Sequence, residues 1–143
     1  MSDPMNELGA VLAGRREGGV HRWNRAGEVG EVRDLVERDG WAFGRVDAAG
    51  IDSSATMLLA LGAAIGMPEY STGANLDAFN DLLRDRTRPM VLWWDSWSVF
   101  ALAEPERFAL VVQILSDRDA SEPGLEVLLP GPGPSGAAPP LEA

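Results

Sequence analysis

The chain contains no cysteine, which excludes disulfides, thiolate metal sites and a cysteine nucleophile, and fits a reducing compartment. Histidine is almost absent. His21 is the single one, so a Ser-His-Asp triad would have to use it, and its place in a short predicted strand brings no nucleophile near it in sequence. Long apolar runs are missing too, because Asp, Glu or Arg interrupts every segment before the roughly 20 residues needed to span a bilayer. The short apolar stretch Leu8 to Leu12 is followed, not preceded, by Arg15 and Arg16, unlike a secretory leader. A soluble cytoplasmic protein is the expectation. Basic residues are scarce, 12 against 22 acidic ones, and the formal net charge of -10 repels phosphate backbones and attracts basic surfaces. Nucleic acid is therefore not an expected partner.

What is present fits one domain. A length of 143 residues and 45% hydrophobic content suffice for a single core, and no internal repeat is visible. Residues 1–17 read as an N-terminal arm with enough apolar side chains for a short helix before Gly18-Gly19. Residues 131–143, rich in proline and glycine, read as a disordered tail. Between them lies a domain over 18–130, with an N-terminal extension at 18–40 and a core at 41–129.

Helical and strand patterns alternate through this domain. Val20 to Trp23 reads as a strand, and Val29, Val32 and Val36 repeat at helical spacing before Gly40, a plausible residue just past a helix end. Trp41 to Val46 is the next strand; Ser53 or Ser54 caps a helix carrying Met57, Leu58, Leu61, Ala64 and Ile65. A further helix runs from Leu76 to about Arg86 with Leu76, Phe79, Leu82 and Leu83 inward. Met90 to Trp94 is a short continuous apolar run, the mark of a central strand covered on both faces. Phe108, Val111, Val112 and Leu115 define a helix over 105–117, and Leu125 to Leu129 a last strand. The predicted class is α/β: a small parallel sheet of three core strands, with a possible fourth N-terminal edge strand, packed with helices.

The segment from Met67 to Asp85 carries the chemistry. A glycine-containing loop leads into a helix bearing Asp77, Asp81 and Asp85 at every fourth position, hence on one face. Like charges at that spacing cost an isolated helix roughly 0.2–0.5 kcal/mol per pair, which asks what favours them. Asp77 in the first turn gains from the helix dipole, and Arg84, Arg86 and Arg88 are available for ordinary surface ion pairs. By spacing alone, a solvated charged face is at least as good a reading as a binding site.

The order of residues tips the balance. Pro68-Glu69-Tyr70, Gly73, then Asn75-Leu76-Asp77-Ala78 and Asp81 resemble the signature of the barstar family of intracellular ribonuclease inhibitors. The resemblance extends from about Trp41 to Leu129, with Pro89-Met90-Val91-Leu92-Trp93-Trp94 in the place of that family's central strand. It implies a barstar-like fold and an inhibitor, not an enzyme, whose acidic helix and preceding loop enter the basic active site of a ribonuclease or nuclease-like toxin. The positions carried over are Tyr70, Gly73, Asn75, Asp77 and Asp81, with carboxylates standing in for phosphates. Two features depart from the type member: the loop from Tyr70 to Ala74 is one residue longer, and Asn80 replaces an exposed tryptophan. Both bear on which enzyme is bound. Asp117 and Asp119 are candidates for a further acidic contact, and a monomer before complex formation is expected.

Two other readings stay open. One is an acidic regulatory module with a non-nuclease partner. The other is a metal-dependent hydrolase using Asp77, Asp81 and Asp95, though no residue pattern calls for a metal or any other cofactor. Of the five tryptophans, Trp41, Trp93 and Trp94 lie in predicted strands and are expected in the core, whereas Trp97, just after the central strand, is a candidate interface anchor.

Overall fold

The computed structural model describes residues 4–16, 18–23, 29–65, 76–119, 124–134 and 136–141. The elements in chain order are α1 (Pro4–Leu12), β1 (Gly19–Trp23), α2 (Val29–Arg38), β2 (Ala42–Asp47), α3 (Ser54–Ile65) and α4 (Leu76–Arg84). They continue with β3 (Met90–Asp95), α5 (Trp97–Ala103), α6 (Pro105–Asp119) and β4 (Leu125–Pro130). The strands form one sheet in the order β1-β4-β3-β2, and every pairing is parallel. The predicted α/β class and the fourth, N-terminal edge strand are both present.

Period-two alternation explains why β3, and β4 apart from Glu126, are apolar on both faces. Met90, Leu92 and Trp94 of β3 and Leu125, Val127 and Leu129 of β4 join Met57, Leu61, Phe79, Leu82, Phe100 and Val111 on one side of the sheet. Val91 and Trp93 of β3 and Leu128 of β4 meet Leu8, Val11, Val32 and Val36 on the other. Helices α3 to α6 thus cover one face and α1 and α2 the opposite one. Such burial on both faces leaves no position for a polar residue in β3 until Asp95.

Two glycines fix local geometry. Gly40, with φ of 85°, takes the left-handed conformation that ends α2. At Gly44 a methyl group would lie 2.7 Å from the Ala64 carbonyl oxygen, so the absence of a side chain lets the end of α3 sit directly on β2. At the start of α3, Ser53 Oγ accepts a hydrogen bond from the Thr56 amide at 3.4 Å, and the Glu104 carboxylate accepts one from the Ser54 amide at 2.7 Å.

Helix α4 ends at Arg84, close to the expected end at about Arg86, and the chain then turns toward Pro89. Helix α5 was not anticipated: seven residues are too few for a clear period, and its N-terminus is set by Ser96 in a left-handed conformation (φ 55°). Of the segment 131–143, expected as a disordered tail, residues 139–141 lie along β1. There the Arg22 amide donates to Pro139 O at 2.8 Å, Arg22 O accepts from the Leu141 amide at 3.0 Å, and Leu141 is 1% exposed beneath α1 and α2. Proline holds the segment extended, which suits strand-like pairing at an edge.

Candidate functional site

Helix α4 is held by its inner face, where Phe79, Leu82 and Leu83 are buried in the main core. Its outer face carries Asp77 and Asp81, both exposed, while Asn80 is half-buried at the flank. The two carboxylates are one helical turn apart on a surface that the core fixes in place. Asp77 lies in the first turn, where the helix dipole favours negative charge. Asp81 Oδ1 is 3.6 Å from Arg84 Nη1, an ion pair in which both side chains are more than half exposed (64% and 60%), and such pairs contribute roughly 0–1 kcal/mol. A cationic partner can displace it at little cost. Asp85 falls just past the helix end, its amide bonded to Asp81 O.

Of the three nearby arginines, Arg84 follows the expected surface pairing with the stripe. Arg86 is 8% exposed and donates from Nη1 to Gly124 O at 3.0 Å and Arg88 O at 3.3 Å, which ties the end of α4 to the start of β4. Arg88 donates to Gly40 O at 3.5 Å. Tyr70, Gly73 and Asn75 of the preceding loop lie outside the described residues, so of the expected surface the structure places Asp77, Asn80 and Asp81.

Asp95 does not join α4. It sits at the end of β3 and accepts hydrogen bonds from Trp93 Nε1 at 2.9 Å and Arg45 Nε at 2.6 Å. Among the described residues, no group of three or more His, Asp or Glu side chains is arranged to hold a metal ion. A cavity of about 210 Å³ lies under α2, lined by Val29, Gly30, Arg33, Phe43 and Arg45. Its two guanidinium groups are engaged by Glu37 and Asp95.

Trp97 is not an interface anchor. It is fully buried, stacked on Phe108 at 5.6 Å, bonded through Nε1 to Pro130 O at 2.9 Å, and capped by the Arg22 guanidinium at 4.8 Å. The same guanidinium donates to Gly131 O at 3.0 Å and Pro134 O at 3.5 Å. His21, the only histidine, is 8% exposed and places Nδ1 2.6 Å from Oε1 of the fully buried Glu126. Neither the Trp97 nor the His21 environment was legible beforehand, since His21 meets Glu126 across 105 residues and Trp97 meets Pro130 and Arg22 from separate strands. The one available signal was Leu141, an apolar residue in an otherwise small and proline-rich stretch.

The described residues contain no helix long and apolar enough to cross a membrane. Comparison with known proteins places these features in context. No curated protein sequence gives a match. Of solved structures, the Aeropyrum pernix ORC2 protein, determined in ADPNP-ADP complexes, has a similar fold, with a TM-score of 0.60 at 16% identity. The likeness covers 91% of this chain and 39% of that one, so this chain spans less than half its length. The family model described as barstar, the barnase inhibitor, matches residues 41–128, from the start of β2 into β4 and including α4. With more than half of its length matched, the chain belongs to the barstar family.

Proposed function

We propose that this protein is an inhibitor that binds one-to-one in the basic active site of a ribonuclease or related toxin and performs no reaction. The observation that supports it is the pair Asp77 and Asp81, exposed on the outer face of a core-anchored helix inside the family-matched region. Rigidly presented carboxylates can form charge-assisted, often bidentate hydrogen bonds with arginines that would otherwise hold RNA phosphates. Tyr70, Gly73, Asn75 and Asn80 complete the proposed contact surface, and the protein acts as a cytoplasmic monomer until it meets its enzyme.

The test is titration of the purified chain against small basic ribonucleases, beginning with barnase, by residual activity. Asp81→Ala is expected to weaken binding by about 2 kcal/mol or more, the size of an interface hot spot, with an unchanged melting curve. Undiminished inhibition by that variant would overturn the assignment. The two other readings lack comparable support. Asp95, one of the three carboxylates a hydrolase would need, is committed to Arg45 and Trp93. Likeness to ORC2 carries fold alone: the chain has no lysine, so the phosphate-cradling G-x-x-x-x-G-K-[ST] loop is absent.

A further inference from the structure

Helix α3 shares one feature with α5 alone among the helices. Its 12 residues, SATMLLALGAAI, contain no charged side chain, although 24% of the protein is charged. A helix apolar on all sides normally lies wholly inside, but α3 does not. Met57, Leu58 and Leu61 face the core, whereas Ala55, Thr56, Leu59 and Ala63 are exposed.

The position of this uncharged face relative to α4 follows from helical geometry. Gly62 is the point of contact between the two helices, since a methyl group there would sit 3.8 Å from Leu82 Cδ2. Moving outward round α3 from Gly62, the side chains met are Ala55, then Leu59, then Ala63. Moving outward round α4 from Leu82, they are Ala78, then Asp81 and Asp77. The exposed apolar stripe of α3 and the acidic stripe of α4 therefore lie side by side on the same flank of the molecule. Leu110 of α6 offers the contrast. Leu102 of α5 (71%) and Leu110 (43%) are both more exposed than Leu59 (37%), but the helical neighbours of Leu110 include Glu106, Arg107 and Gln113 beside Ile114, the ordinary setting of a lone surface leucine.

Resting on the inhibitor reading above, we propose that the partner-binding surface extends from α4 onto the outer face of α3, with Leu59 at its centre. The partner that fits has a cationic cleft bordered on one side by an apolar rim. Charge pairing with Asp77 and Asp81 sets the approach, and burial of Leu59 between Ala55 and Ala63 adds a contact that excludes water from its edge.

The experiment compares the unmodified full-length chain with four variants, using barnase as the probe and thermal unfolding to confirm the fold. Leu59→Gln removes the apolar contact without adding charge, and Ala63→Gln adds bulk to the same face. Leu110→Gln is the control and Asp81→Ala tests the underlying reading. Burial of one leucine side chain corresponds to weakening by about tenfold in Leu59→Gln, with Ala63→Gln also weakened and Leu110→Gln unchanged. If Asp81→Ala is impaired while Leu59→Gln and Ala63→Gln bind like the unmodified chain, the extension onto α3 is wrong and the acidic helix stands. If Asp81→Ala binds normally, or the unmodified chain does not bind at all, the inhibitor reading itself fails and takes the extension with it. If sedimentation shows a dimer that Leu59→Gln dissociates, the face joins two copies of this chain and the proposal is overturned.

Discussion

His21 and Glu126 lie together on the side of the sheet that α1 and α2 cover, 8% and 0% exposed, with 2.6 Å between Nδ1 and Oε1. Removing one member of such a buried hydrogen-bonded pair costs about 1–3 kcal/mol, because the group left behind keeps its desolvation and loses one of its bonds. His21→Ala is accordingly expected to shift the urea midpoint well down, and the double variant His21→Phe with Glu126→Leu to recover much of the loss. An unmoved midpoint in His21→Ala would show that the pair carries no such weight. At this scale the sequence was informative only where local order mattered. Asp77 and Asp81 could be placed on an exposed helix face from their neighbours alone, and that is where they are. Trp97 could not, because what buries it is Phe108, Pro130 and the guanidinium of Arg22, none of which is adjacent in sequence.

Among the elements, those with a strong period or a continuous apolar run were legible: β3 as an inner strand, α6 from its four spaced apolar residues, β1 and α2 as additions to the sheet. The segment after β4 was read from composition alone. Proline and glycine argue against a packed ladder, yet pairing at an edge needs only alternate backbone groups, and Pro139 and Leu141 supply them to Arg22. Leu141 then fills a place among Leu8, Trp23, Val36 and Leu128. Leu141→Ala should lower stability by about 2–5 kcal/mol, as for other buried leucines, and speed hydrogen exchange of the Arg22 amide. A melting temperature equal to that of the unmodified chain would mean that the segment does not hold the edge in solution.

For the molecule as a whole, the formal charge of -10 makes encounter with a basic enzyme a long-range event, as the barnase–barstar pair illustrates for the family. Raising the ionic strength from about 0.1 M to 1 M shortens the screening length from about 10 Å to 3 Å. The association rate with barnase should therefore fall steeply in stopped-flow measurements, while the dissociation rate, set by close contacts, changes little. A salt-independent association rate would contradict an electrostatic approach. The strand order also has a consequence for synthesis. Strand β1 pairs only with β4 within the sheet, and His21 meets Glu126 across 105 residues of chain. At roughly 5–20 residues per second, β1 leaves the ribosome about 5–20 s before its partner exists. Through that interval β2 and β3 can already pair, but β1 has no strand beside it, so the N-terminal strand keeps both its edges unpaired until β4 is made.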